Sequence, residues 1–259
     1  MLGAVADFAD TVRGRAEKGI PSKRLRAFIG DEGDFTTIGQ ELLDHCRNLG
    51  GLQPTDRVLD VGSGIGRVAL PLTGYLSPEG SYDGLEIVRV GVQWCTDNLT
   101  SRHGNVRFHH ADIYHQIYNP QGQLEAQEFR FPFEDDSFDF AVVTSVFTHM
   151  LFATVDRYLG ELSRIVAQGG HVLATFFILN DQSRALLAAG RSAIPFAHEV
   201  DAHRVMVIDP AVPEKAVAYP ESTVRDLVDR HGFALQEPIS FGGWSGRSHG
   251  QDILVFARR

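Results

Sequence analysis

The run Val58-Leu59-Asp60-Val61-Gly62-Ser63-Gly64-Ile65-Gly66-Arg67 restricts the fold more than any other part of the chain. A short apolar segment, Arg57–Val61, reads as a buried strand and runs into glycines at every second position. The helical stretch Arg67–Tyr75 follows. Glycines in such a turn let the backbone bend where other residues are strained, and let a ligand lie against main chain where a Cβ would collide. In open α/β sheets, ligands bind outside the carboxyl ends of the strands, where this loop is expected to lie.

The same alternation continues downstream. Strands are expected near Ser81–Ile87, Val106–Ala111, Phe138–Ser145 and His171–Phe177, with helices near Arg89–Ser101 and Val155–Val166, the latter stopped by Gly169-Gly170. Apolar strands alternating with helices imply a parallel sheet covered on both faces. Helix Glu221–His231, strand Phe233–Ile239 and strand Asp252–Ala257 close the chain, and the last link is too short for a parallel crossover. Those two strands should therefore pair antiparallel. Upstream, Ile38, Leu42, Leu43 and Cys46 recur at helical spacing before Gly50-Gly51. Residues 1–50 are read as a helical arm or lid and residues 51–259 as the main domain, within which Asn180–Pro220 shows no clear pattern.

Spacing narrows the ligand. A dinucleotide fingerprint reads G-x-G-x-x-G and rests a pyrophosphate on the helix N-terminus. Here the order is G-x-G-x-G, with Asp60 two residues before the first glycine, an acid that repels pyrophosphate and suits an amino group. Glu86 ends the second strand, where a carboxylate can accept hydrogen bonds from both ribose hydroxyls. Asp112 ends the third, where an acid and its neighbouring backbone can meet an adenine edge. Singly, each acid reads as a loop residue or helix cap; three at successive strand ends behind this loop read as a site.

These residues resemble the class I S-adenosylmethionine-dependent methyltransferases. Leu59–Gly66 resembles their first motif, Gly84-Leu85-Glu86-Ile87 their second-strand acid, and His110-Ala111-Asp112-Ile113 their adenine-contacting segment; the likeness runs on through Phe131–Asp139 to the strand after Gly169-Gly170. The resemblance implies a Rossmann-like, doubly wound, mostly parallel seven-stranded sheet with an antiparallel last strand. It also implies S-adenosylmethionine as cofactor, with Asp60, Gly62, Ser63, Gly64 and Gly66 at its methionine end, Glu86 and Ile87 at the ribose, Asp112 and Ile113 at the adenine, and Ser145 close by. Ser63 stands where many members carry cysteine.

Methyl transfer needs donor and acceptor aligned, and a hydroxyl acceptor also gains from a base, typically about 10²- to 10⁴-fold. Thr144-Ser145-Val146-Phe147-Thr148-His149-Met150 follows the fourth strand, and His149 is the first candidate base because imidazole titrates near neutrality. Capping the next helix or packing the cofactor is its alternative role. This run also resembles a subgroup acting on small molecules and sugars, which points to a hydroxyl. The loop joining the last two strands should lie at the same edge, offering Trp244 as an aromatic face, Arg247 as a fixed positive fork and His249 as a second base. Tyr114, His115 and Tyr118 are candidates for lining the acceptor pocket, and Phe35 for closing it. A simple glycine-rich hairpin, tyrosines that cover the cofactor and an apolar anchor are the respective alternatives.

Composition removes other classes. A net charge of −9 disfavours nucleic acid, which is bound largely through Lys and Arg on phosphates. Cys46 and Cys95 are the only cysteines, too few for a disulfide framework or a zinc cluster. The adjacent His109 and His110 point to opposite faces of a strand and cannot share a metal. Mg²⁺ held by carboxylates and substrate leaves little linear signature, so it stays open though not indicated. No signal-peptide pattern or membrane-length apolar run is present, so a cytoplasmic enzyme with a small-molecule substrate is expected, as monomer or homodimer. Nitrogen, carbon or carboxyl methylation, or a non-catalytic binding module, are the competing functions.

Overall fold

The computed structural model describes residues 19–26, 34–202, 204–246 and 250–259. These divide into two compact units, Met1–Asp112 and Ile113–Arg259.

Among the described residues, the first elements of unit one are a single turn Lys23–Arg26 and α1 (Phe35–Asn48). Asp34 caps this helix by accepting from the Thr37 N–H at 2.7 Å, leaving one fewer orphan amide at the first turn. Its buried face is Phe35, Gly39, Leu43 and Cys46. At Gly39 a Cβ would stand 2.5 Å from the Arg67 carbonyl, so the helix lies directly on the chain leading into α2 (Ala69–Tyr75). Strands β1 (Arg57–Val61), β2 (Ser81–Glu86) and β3 (Val106–His110) pair in parallel, with Asp60 opposite Gly84 and Glu86 opposite His110. Helix α3 (Arg89–Cys95) continues as one π turn, Thr96–Thr100, where the sequence pattern suggests an unbroken helix.

Unit two contains β4 (Phe138–Val143), α4 (Phe152–Ile165) and β5 (Val166–Phe176), with β4 and β5 parallel. The helix stops earlier than Gly169-Gly170 suggests. Val166 already adopts extended geometry and pairs with Phe138, so the glycines fall inside β5. There Gly169 has φ +77°, and a Cβ on Gly170 would meet the Asp139 carbonyl at 2.8 Å. The pair accordingly serves a shift in the β4–β5 register and a close backbone approach, not a helix end.

After β6 (Ile178–Leu179) come α5 (Asp181–Ala188), β7 (His198–Val200), β8 (Val205–Val207) and β9 (Val217–Pro220). Strands β6, β9, β8 and β7 form a small four-stranded sheet in that order, the structure of the segment that shows no sequence pattern. Helix α6 (Glu221–Arg230), β10 (Phe233–Leu235) and β11 (Asp252–Arg258) close the chain. As expected, β11 runs antiparallel to both β10 and β5. The larger sheet has seven strands in the order β10-β11-β5-β4-β1-β2-β3, a Rossmann-like, mostly parallel α/β architecture with its last strand reversed.

Candidate active site

In unit one the loop after β1 turns through three left-handed glycines: Gly62 at φ +77°, Gly64 at +59° and Gly66 at +80°. Side chains rarely tolerate this region, so the glycines are required by backbone shape before any ligand is considered. Gly66 has a second reason, since a Cβ there would stand 2.9 Å from Leu99 and 3.1 Å from the Cys95 sulfur. The loop is pinned to β2. The Gly62 and Ser63 N–H groups donate to the Leu85 carbonyl at 2.8 and 3.2 Å.

Glu86 supplies the third pin. Its two carboxylate oxygens accept from the Gly64 and Val88 N–H groups, each at 2.7 Å. Burial raises its pKa, against the opposing pull of the Val88, Gly64 and Ile87 amides. Each oxygen has further lone pairs, so holding the loop and accepting from a ligand are compatible.

Asp60 is 1% exposed, inside β1. Its Oδ2 accepts from the Tyr82 hydroxyl at 2.6 Å. Tyr82 is a residue the sequence reading missed, though register explains it: Tyr82 lies diagonally from Asp60, two residues before Gly84, which pairs with Asp60. Burial pushes the Asp60 carboxyl up to about 7; the Tyr82 bond opposes this, the Glu86 charge adds to it and Arg67 opposes it. Asp60 Oδ1 and Ser63 Oγ are buried without a hydrogen-bond partner among the described residues. Buried oxygens are seldom left so. Two acceptors beside a glycine cradle fit a ligand bearing an ammonium group, and this donor–acceptor set suits the amino-acid end of S-adenosylmethionine.

Ile87 is half-buried, and its carbonyl lies 3.1 Å from His110 Nε2. His109 instead meets Asp83 at 2.7 Å, so the two adjacent histidines engage separate partners. Asp112 is half-buried two residues beyond β3. Phe35, expected to close the acceptor pocket, is 3% exposed in the first turn of α1.

In unit two the chain leaves β4 through Ser145, which is left-handed at φ +57° although it carries a side chain. The strain is countered locally. The Ser145 N–H donates to Thr175 Oγ1 at 2.8 Å, and its hydroxyl exchanges bonds with the Gln251 amide at 3.0 and 3.2 Å. A single-turn 3₁₀ helix, Phe147–His149, follows. His149 Nδ1 lies 3.0 Å from the Glu214 carbonyl. A carbonyl only accepts, so Nδ1 carries the proton and Nε2 the lone pair, the tautomer a base needs. Burial lowers the His149 pKa, against the backbone carbonyls of Glu214 and Lys215.

Tyr118 stands edge-on to His149 at 5.7 Å between ring centres, and His115 packs on Tyr118 at 4.8 Å. Ile113 is buried and Tyr114 is 45% exposed. Trp244, read as an aromatic face for substrate, is 1% exposed and packs with Phe177 and Phe196. Its indole N–H donates to Asp252 Oδ2 at 2.7 Å. The same carboxylate takes the Ile178 and Gly242 amides, so Trp244 is placed as a loop anchor with no face open to substrate. Arg247 and His249 lie outside the described residues. Among the described residues no group of three or more His, Cys, Asp or Glu gathers as a metal site, and no helix is long and apolar enough to cross a membrane.

A family model described as a methyltransferase domain matches residues 59–174, from the glycine loop to β5. Residues 59–174 are thus similar to a methyltransferase domain. Phthiotriol/phenolphthiotriol dimycocerosates methyltransferase 1 of Mycobacterium ulcerans is 34% identical over 119 residues, which are 46% of this chain and 36% of that relative. The matched stretch thus spans little more than a third of the curated relative's length. Magnesium protoporphyrin IX methyltransferase of Synechocystis PCC 6803, solved with bound SAH, shares the methyltransferase fold at TM-score 0.58 and 16% identity, covering 91% of this chain and 93% of its own. So does the 1,6-didemethyltoxoflavin-N1-methyltransferase of Burkholderia thailandensis, at TM-score 0.54 and 16% identity over 98% and 86% of the two chains.

Proposed function

We propose that this protein binds S-adenosylmethionine on the loop after β1 and methylates a hydroxyl of a small molecule, such as a sugar or glycoside. The observation that carries the reading is the conjunction of three left-handed glycines with two buried, unpartnered oxygens, Asp60 Oδ1 and Ser63 Oγ. When bound, S-adenosylmethionine supplies a methyl carbon already activated by its sulfonium. Asp60 and Ser63 hold the ammonium and carboxylate end, Glu86 accepts from the ribose hydroxyls while keeping the loop in shape, and Asp112 with Ile113 takes the adenine edge.

His149 is the base in this reading. Its Nε2 lone pair would take the hydroxyl proton of an acceptor held beside it. Depressed by burial, the imidazole is neutral and competent at physiological pH. The preference for oxygen rests on this histidine, because a carboxylate acceptor needs no base and an amine only has to be held neutral.

Calorimetric titration with S-adenosylmethionine, S-adenosylhomocysteine and NAD, run in parallel, tests the cofactor. Micromolar binding of the first two with none of the third is expected, and binding of NAD alone overturns the reading. A screen of hydroxylated metabolites and glycosides beside amines and carboxylates then tests the acceptor, where turnover confined to amines or carboxylates removes the oxygen assignment.

A further inference from the structure

In unit two, the loop after β3 is tied by a histidine in an unusual way. His115 is 8% exposed, and its Nδ1 accepts the N–H groups of Ile117 at 3.1 Å and Tyr118 at 3.2 Å. An Asn or Asp side chain often makes such a bond to the backbone two residues on. Here an imidazole makes it, and its ring then packs against Tyr118. Backbone bonds between His115 and Asn119, at 3.0 Å in both directions, close the loop around this contact. An Nδ1 that accepts cannot carry a proton, so His115 is the Nε2–H tautomer, opposite to His149. Burial pushes its pKa down to about 4, so the arrangement persists across the working range of an enzyme.

We infer that His115 is a positioning residue for His149, acting through Tyr118. By accepting two amides, His115 fixes the backbone that carries Tyr118; by packing on its ring, it fixes the ring. The Tyr118 ring in turn meets His149 edge-on, while the Glu214 carbonyl holds the far nitrogen of that imidazole. The His149 ring is thereby held from two sides: Tyr118 sets the orientation that brings Nδ1 to the Glu214 carbonyl, and that bond sets the tautomer. A base misoriented by an ångström loses much of its effectiveness, so an indirect contact of this kind is visible in rate. Other titratable groups near this histidine are His115 itself, whose pKa the His149 charge lowers and the His149 backbone raises, Glu214 and Lys215 on the turn that holds it, and Tyr219, whose hydroxyl donates to the Met150 carbonyl at 2.6 Å. This inference rests on reading His149 as the base.

The test compares His115→Ala, His115→Phe and His115→Asn in the full chain, reading both turnover and the imidazole ¹⁵N shifts of His149. Alanine removes ring and acceptor, phenylalanine keeps the ring alone, and asparagine keeps an acceptor within reach of the same amides. We expect alanine and phenylalanine to lower kcat about 10-fold with S-adenosylmethionine affinity unchanged, an effect of the size one displaced contact produces. In both, the ¹⁵N shifts should move His149 from a single Nδ1–H tautomer toward a mixture, and its titration toward the ordinary range. Asparagine should restore most of the rate and the tautomer. If all three variants fold and the His149 shifts match the parent, the positioning role is overturned, whatever the rate. The shifts are read without turnover, so they separate this outcome from failure of the base assignment, in which His149→Ala itself keeps its rate.

Discussion

The glycine loop of unit one and the Ser145–His149 segment of unit two are built on different length scales. Around the loop, Gly64 meets Glu86 and Tyr82 meets Asp60 across 22 residues each. Around the segment, Ser145 meets Gln251 across 106 residues and His149 meets Glu214 across 65; elsewhere in the same unit Asp252 reaches Ile178 across 74. One site is therefore a property of a single strand–turn–helix–strand stretch, whereas the other exists only once distant parts of its unit have assembled. Its formation carries the larger loop-closure cost, and its geometry depends on residues with no local reason to be where they are.

Substitutions can break this contrast, and the largest effect is expected at His149. His149→Ala should lower turnover about 10²- to 10⁴-fold while leaving cofactor affinity as it was, measured by steady-state kinetics beside calorimetry. A normal rate would remove the base from this segment. Asp252→Ala comes next, because it leaves two buried N–H donors, Ile178 and the Trp244 indole, and the half-buried Gly242 amide without their acceptor, at about 1–3 kcal/mol for each buried one. Urea unfolding should show a loss of several kcal/mol, and a change within experimental error would mean the carboxylate is not what ties β6 to the loop before β11. Glu86→Ala removes one amide bond from the glycine loop, that of Gly64, and one from Val88 just after β2, of about 1.5–3 kcal/mol each for a charged acceptor. Weaker S-adenosylmethionine binding in a still-folded protein is the expected outcome, and unchanged affinity would show that the loop keeps its shape unaided.

The smallest effect is on pH dependence. With its carboxyl raised from 3.8 to about 7, Asp60 binds more protons folded than unfolded between those values, so stability falls as pH rises through that window and levels off above it. Asp60→Asn should flatten this slope in thermal melts from pH 4 to pH 8. A bound ammonium group favours the ionised carboxyl, so cofactor binding near pH 6 should release protons, seen as a buffer-dependent calorimetric enthalpy.

The same contrast explains what the sequence made legible. Strands β1 and β4 and the glycine loop announce themselves through apolar runs and glycine spacing, because their constraints are local. The segment after β6 did not, since its strands hold two to four residues and are too short to display a period. Trp244 read as an exposed aromatic because nothing nearby in sequence reveals Asp252 beneath it or Phe177 and Phe196 around it. Tyr82 was recoverable in principle from strand register, had β1 and β2 been aligned residue by residue. The roles of Glu214, through its main chain, and of Gln251 leave no mark on side-chain identity or spacing.

The burial of Trp244 against Asp252 has a spectroscopic consequence. The chain contains only two tryptophans, and Trp94 lies in α3 of unit one while Trp244 lies in unit two. Replacing Trp94 by phenylalanine leaves a single emitter whose indole donates to a buried carboxylate, and replacing Trp244 leaves the other. Emission from the two single-tryptophan proteins, followed through the same urea titration, would report separately on each half of the chain. Coincident curves would mark one cooperative transition and displaced curves two, giving a direct optical measure of whether the halves melt together.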